Sequence, residues 1–110
     1  MARKIPKKVQ NILEETRVEL QKIYSDRLKD IILYGSYARG DYSGESDIDL
    51  LLVLEEVRDL AAEREKYIPV VSRISLKYDA VLSVIPFDYL AFQTKKTPLL
   101  LNVHKEGVRV

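Results

Sequence analysis

Two aspartates, Asp47 and Asp49, open the most apolar stretch of the sequence and could bind a metal ion. In an extended strand alternate side chains share a face, so the two carboxylates would lie on one side with Cα atoms about 6.6 Å apart. Without a cation the two charges would repel each other beside an apolar sheet. Mg²⁺ prefers a few carboxylates together with triphosphate oxygens. The pair therefore predicts a magnesium site next to a bound nucleotide.

A glycine-serine pair, Gly35-Ser36, stands ten residues before these aspartates and ends a short apolar stretch. Gly35 allows a sharp bend and a close approach to a ligand, and Ser36 can offer its N–H and hydroxyl to a phosphate oxygen. If a helical turn begins here, its N–H groups add to the anion site, and Arg39 reaches the same side and could hold phosphate. A phosphate site beside a metal site indicates phosphoryl or nucleotidyl transfer.

Each part of this pattern is weak when it is taken alone. The chain has eight aspartates, so an Asp-x-Asp pair can arise by chance, and an arginine such as Arg39 is most often a solvated surface charge. The combination is far more specific, because a strand, a Gly-Ser turn, ten residues and an Asp-x-Asp pair entering an apolar strand occur in that order.

The elements that must position these residues alternate between helices and strands. Apolar spacing and turn residues predict helices over 7–25 and 57–77, strands over 31–34, 48–54, 79–85 and 108–110, a loop over 36–46, and two helical pieces within 87–103. Pro69 should kink or split the second helix, and Pro86 should end the third strand. The order αβ(loop)βαβα predicts a single domain over 1–110 of the α/β (α+β) class, with a small mixed sheet flanked by helices.

Composition excludes several classes of function. The chain of 110 residues has no cysteine, which rules out disulfides, thiolate metal sites and a thiol nucleophile. A net charge of +1 gives no sign of direct nucleic-acid binding. The longest apolar run, 50–54, is too short to span a bilayer, so we expect a cytoplasmic protein with no membrane contact.

The segment 35–49 resembles the signature of the DNA polymerase β-like nucleotidyltransferase superfamily, which is Gly-Ser, about ten residues, then Asp-x-Asp. The longer strings Gly-Ser-Tyr-Ala-Arg-Gly and Ser-Asp-Ile-Asp-Leu-Leu-Leu-Val look like the minimal nucleotidyltransferases, the MntA-type antitoxins of HEPN/MNT toxin–antitoxin pairs. The closing residues 97–108 are similar to the C-terminal end of those proteins. The resemblance spans nearly the whole chain, and 35–49 is its specific part.

This resemblance implies the nucleotidyltransferase fold, an NTP donor that is usually ATP, two divalent ions such as Mg²⁺, and transfer of a nucleoside monophosphate to an acceptor hydroxyl. By position, Gly35 and Ser36 would hold phosphate, and Asp47 and Asp49 would hold metal. The resemblance to the minimal nucleotidyltransferases implies an antitoxin that binds a HEPN ribonuclease toxin. Some of these antitoxins adenylylate a tyrosine of the toxin. We therefore expect a complex or mixed oligomer with such a partner, which presents the acceptor because this short chain has little room for an acceptor-binding domain.

Active members of the superfamily carry a third carboxylate on the next strand, and Asp79 is the best candidate for it. There it would accept the proton of the attacking hydroxyl or complete the metal site. Alternatively, Asp79 is a turn residue before the strand and Ser83 lies at the depth of the site, which then lacks a third acid.

Two other functions stay open beside transfer to a partner protein. A non-catalytic antitoxin would keep the fold and neutralise its toxin by binding, which a missing third acid would favour. Transfer to a small molecule, as in antibiotic-modifying relatives, would need an acceptor domain that the sequence does not display. Tyr37 and Tyr42 could touch a nucleotide or partner, although packing is the usual role of such residues.

Overall fold

The protein folds into a four-stranded sheet with helices on both faces. The structure, a computed structural model, describes residues 5–110. The elements are α1 (Lys7–Tyr24), a 3-10 turn (Ser25–Arg27), β1 (Leu28–Tyr34), α2 (Ser36–Arg39), β2 (Ile48–Leu54), α3 (Leu60–Tyr78), β3 (Leu82–Asp88), α4 (Tyr89–Thr94), α5 (Pro98–Glu106) and β4 (Val108–Arg109). The predicted α/β fold with alternating helices and strands is confirmed.

The strands lie in the order β3-β2-β1-β4. β1 runs antiparallel to both β2 and β4, whereas β3 runs parallel to β2, so the sheet is mixed as predicted. β2 lies in the interior of the sheet, and all of its residues are buried except Asp49, which is partly exposed. The apolar run of β2 is therefore explained by cover on both faces.

Alternate residues of β2 face two different cores. Ile48, Leu50 and Leu52 pack in the larger core, which lies against α1 and α3. Leu51 and Val53 pack in a smaller core, whose other buried members are Ile32, Phe92, Leu100 and Val103. Because side chains alternate along a strand, Asp49 lies on the face of the smaller core, next to Leu51.

Neither Pro69 nor Pro86 ends the element in which it lies. α3 runs through Pro69 without a break, so the predicted split is wrong; the carbonyl of Glu65, which loses its N–H partner, belongs to an exposed residue that water can reach. β3 continues through Pro86 to Asp88, so the predicted end at Pro86 is also wrong. β3 is an edge strand, where a missing N–H is tolerated.

Aspartate caps place two helix starts later than periodicity predicted. Asp59 accepts hydrogen bonds from the Ala61 and Ala62 N–H groups, so α3 begins at Leu60 rather than at 57. Asp88 caps α4 in the same way, so residues 87 and 88 end β3 instead of starting a helix. No helix within 5–110 is both long and apolar enough to cross a membrane.

A buried carboxylate ties the start of β1 to α3. Glu63 is only 5% exposed, and its Oε2 accepts a hydrogen bond of 2.5 Å from Arg27 Nη2. The Tyr24 hydroxyl donates to the Glu63 carbonyl, and burial raises the pKa of Tyr24 to about 12. Lys66 Nζ lies farther from Glu63, at 3.8 Å. Arg27 is therefore the main neutralising partner of this carboxylate.

Replacing Arg27→Ala should lower the free energy of unfolding by about 3 kcal/mol, because it leaves a buried charge without its closest partner; this is the low end of the range for such a pair, since the Arg27 side chain is 35% exposed. Urea denaturation measures the change. Arg17→Ala is the control, since the Arg17–Glu14 pair is solvent-exposed and should contribute less than about 1 kcal/mol. Equal losses in the two variants would contradict a structural role for the Arg27–Glu63 pair.

Candidate functional site

Gly35 forms the turn between β1 and α2, and its backbone lies at φ 79° and ψ −155°. Residues with a side chain rarely adopt this conformation. A Cβ added at Gly35 would also overlap Asp49 Oδ2 and would lie 3.3 Å from Asp49 Cγ. Glycine is therefore required twice, by the backbone and by the carboxylate packed against it.

The two aspartates lie at the start of β2, beside this turn. Asp47 immediately precedes the strand and is exposed, and Asp49 pairs in register with Tyr34, the last residue of β1. The pKa of Asp49 is raised, first by burial and then by the negative charge of Asp47, while the Arg39 guanidinium acts in the opposite direction. Asp47, Asp49 and Arg39 are thus close enough to interact electrostatically.

Two of the three expected phosphate-binding residues, Ser36 and Arg39, lie on α2, and the third, Gly35, is its N-cap. Ser36 is the first residue of this short helix, so its N–H has no acceptor within the helix. Arg39 closes the helix and forms ion pairs with Asp41 at 3.1 Å and with Glu106 of α5 at 3.2 Å. Glu106 was not identified from the sequence, because 67 residues separate it from Arg39 and no local pattern links them.

Asp79 lies in the turn before β3, which is the alternative position that the sequence left open, and not on the strand itself. It is the C-cap of α3 in the left-handed conformation (φ 50°, ψ 53°), and β3 begins at Leu82, so the predicted strand start at 79 is wrong. Ser83 is the β3 residue in register with Asp49. Within the described part of the chain, no three His, Cys, Asp or Glu side chains form a group that could hold a metal ion. The structure thus brings Asp47 and Asp49 together without Asp79, whose catalytic role stays a prediction.

Tyr37 and Tyr42 stack on each other, with ring centroids 4.7 Å apart and planes inclined by 19°. Tyr37 is buried in the larger core, and Tyr42 packs against that core. Both line a cavity of about 580 Å³ that Asp79 also borders and that Asp47 and Asp49 do not. Both tyrosines thus have a packing role, and their contact with a nucleotide or partner stays a prediction.

Comparison with known proteins places this geometry among nucleotide-handling domains. The family described as nucleotidyltransferase domain matches residues 6–107. A relative from Methanocaldococcus jannaschii, provisionally named a protein adenylyltransferase, is 41% identical over 99 residues, which are 90% of this chain and 95% of the relative.

Solved structures with a similar fold include toxin–antitoxin complexes. A chain of a toxin–antitoxin structure with AMP-PNP superimposes with a TM-score of 0.61 at 20% identity, over 87% of this chain and 70% of that chain. A chain of the tri-AMPylated Shewanella oneidensis HEPN toxin in complex with MNT antitoxin gives a TM-score of 0.56 at 19% identity, over 93% of this chain and 70% of that one. At these identities the likeness shows a common fold.

Gly35→Ala should lower the free energy of unfolding by about 1–3 kcal/mol, because the new Cβ meets Asp49 and the positive φ becomes strained. Gly44→Ala is a matched control in the same loop region, since a Cβ there meets no atom within 4 Å. Chemical denaturation of both variants measures the difference. Equal stability of the two variants would show that the Gly35–Asp49 contact does not constrain the turn.

The raised pKa of Asp49 makes a prediction about pH. Because the folded state favours the protonated acid, the folded protein loses stability as pH rises from below the ordinary pKa through the raised value. In EDTA, Asp49→Asn should therefore melt at a higher temperature than the wild type at about pH 7, and this gain should vanish at about pH 3.

Asp88→Asn serves as the control of opposite sign. A hydrogen bond from the Val57 N–H is the main cause that lowers the pKa of Asp88, so its carboxylate stabilises the fold above its ordinary pKa. This variant should be less stable than the wild type at about pH 7. If Asp49→Asn and Asp88→Asn changed the melting temperature in the same direction at both pH values, the raised pKa of Asp49 would be refuted.

Proposed function

Because this chain belongs to the nucleotidyltransferase domain family, as its Gly-Ser and Asp-x-Asp motifs predicted, we propose that it transfers a nucleoside monophosphate from a nucleoside triphosphate to an acceptor hydroxyl. The observation that carries this proposal is the close approach of Gly35 to Asp49. It places the start of α2, which suits phosphate, directly beside the acid pair, which suits a cation.

Mg²⁺ is the cation that fits the chemistry of this pair. Asp47 and Asp49 offer hard oxygen ligands, and the raised pKa of Asp49 reflects a charge held in a partly buried position beside a like charge. A divalent cation would relieve that repulsion. When bound, it would neutralise negative charge on the triphosphate.

The residues around the turn would orient the triphosphate. Gly35 carries no side chain that would stand between the backbone and the phosphate, and Ser36 would donate from its N–H and hydroxyl. Arg39 would exchange its carboxylate partners, Asp41 and Glu106, for phosphate oxygens. Because Glu106 lies on α5, this exchange would link nucleotide binding to the C-terminal helix.

We further propose that the donor is ATP and that the acceptor is a tyrosine hydroxyl of a HEPN-family toxin, so that the protein acts as an antitoxin in the cytoplasm. The acceptor oxygen would bond to the α-phosphorus, pyrophosphate would leave, and the hydroxyl proton would pass to solvent or to a base. The adenylyltransferase name of the M. jannaschii relative and the AMPylated HEPN toxin in a structure of the same fold support this acceptor class.

Intact-mass spectrometry tests the proposal after incubation with Mg²⁺, ATP and a HEPN partner. The wild type should add adenylyl groups to the partner, whereas Asp47→Asn and Asp49→Asn should slow the reaction at least about 100-fold, since each removes charge from the cation site. Asp26→Asn, in the 3-10 turn, is the matched control and should react like the wild type. A mass gain that is the same for wild type and Asp47→Asn would refute the proposal.

A non-catalytic antitoxin is the second candidate, and the separation of Asp79 from the acid pair favours it. Such a protein would neutralise its toxin by binding alone. Cell growth during toxin expression separates the two functions, because Asp47→Asn would still rescue growth if binding suffices.

A further inference from the structure

The β3 residue beside Asp49 is a serine. In the parallel pair of β2 and β3, Asp49 is in register with Ser83. Leu82 and Val84, on either side of Ser83, pack in the larger core, whereas Ile85 packs against the smaller one. Because side chains alternate along a strand, Ser83 lies on the face of the smaller core, which is also the face of Asp49.

Asp79, the nearest acidic residue before β3 in the chain, does not lie on the face of the smaller core. The Ile48 N–H donates to the Val81 carbonyl at 2.9 Å, which fixes the chain entering β3 beside the start of β2. Asp79 precedes that point, is exposed, and holds the left-handed conformation that ends α3. It borders the cavity lined by Ile12 and Tyr37, which belong to the larger core on the other side of the sheet.

We propose that Ser83 occupies the third position of the cation site, so that the protein supplies carboxylates for one divalent cation and not for two. This inference rests on the proposed function, since it concerns the same site. A hydroxyl is neutral and a weaker ligand than a carboxylate, and Mg²⁺ takes phosphate oxygens readily. The cation should therefore bind weakly to the protein alone and depend on the triphosphate for its remaining ligands.

Serine at this position also limits repulsion in the absence of a cation. Asp49 already sits partly buried beside Asp47, and a third negative charge in register with it would disfavour the folded state. Compared with a third carboxylate, Ser83 thus reduces the repulsion around Asp47 and Asp49 when no cation is bound. The same residue also lowers the affinity of the site for a free cation.

Titration with Mn²⁺ alone, followed by electron paramagnetic resonance, tests this inference. The wild type should bind weakly at a single site, and Ser83→Asp should bind at least about tenfold more tightly. In EDTA, Ser83→Asp should melt below the wild type, and Mn²⁺ should raise its melting temperature by more than it raises that of the wild type. Ser83→Asn, similar in size to Ser83→Asp but uncharged, should bind Mn²⁺ like the wild type.

An unchanged Mn²⁺ affinity in folded Ser83→Asp would overturn the inference. Asp79→Asn gives a second measurement that does not depend on the stability of Ser83→Asp: unchanged Mn²⁺ binding is expected, and a loss would place Asp79 in the site instead. Asp49→Asn separates the two proposals. If Asp49→Asn binds Mn²⁺ as the wild type does, the proposed function itself fails; if it loses binding while Ser83→Asp has no effect, only the role of Ser83 fails.

Discussion

The close packing of a carboxylate against a backbone turn is the constraint on which the candidate site depends. The antiparallel register of β1 and β2 sets Tyr34 opposite Asp49, and the next residue of the chain then meets the carboxylate. Only a residue without Cβ fits there in the conformation observed. The turn, the acid and the start of α2 are consequently positioned by one pairing of strands, and a shift of that register would separate all three.

The rest of the fold makes this register difficult to change. β2 is buried on both faces, so sliding it by one residue would exchange the side chains that face the two cores and would bury Asp49 within the larger one. Burying an unpaired carboxylate in an apolar core is strongly unfavourable. The apolar run of β2 thus does more than fill the interior, because it also fixes which face of the sheet carries the acid pair.

Sequence reasoning succeeded where the determining interactions are local. The Gly-Ser turn, the Asp-x-Asp pair and the alternation of elements follow from spacing and residue type, and the α/β class with a small sheet follows from their order. The sequence left two positions open for Asp79, on the strand or in the turn before it, because its position depends on where α3 ends and a left-handed C-cap leaves no pattern that separates it from a strand start. Glu106 could not be found either, because only folding brings α5 to Arg39. The effects of Pro69 and Pro86 depended on solvent access and on the edge position of β3, which are tertiary properties.

The continuation of β3 through a proline has a consequence for association between copies of the chain. An edge strand offers unpaired donors and acceptors to which a strand of another molecule can add, and such addition leads to uncontrolled polymerisation. Pro86 interrupts the row of donors along the unpaired side of this partly buried edge strand, and β2 occupies its other side. Pro86, which the sequence suggested as the end of β3, therefore disfavours aggregation through the edge of the sheet that β3 forms.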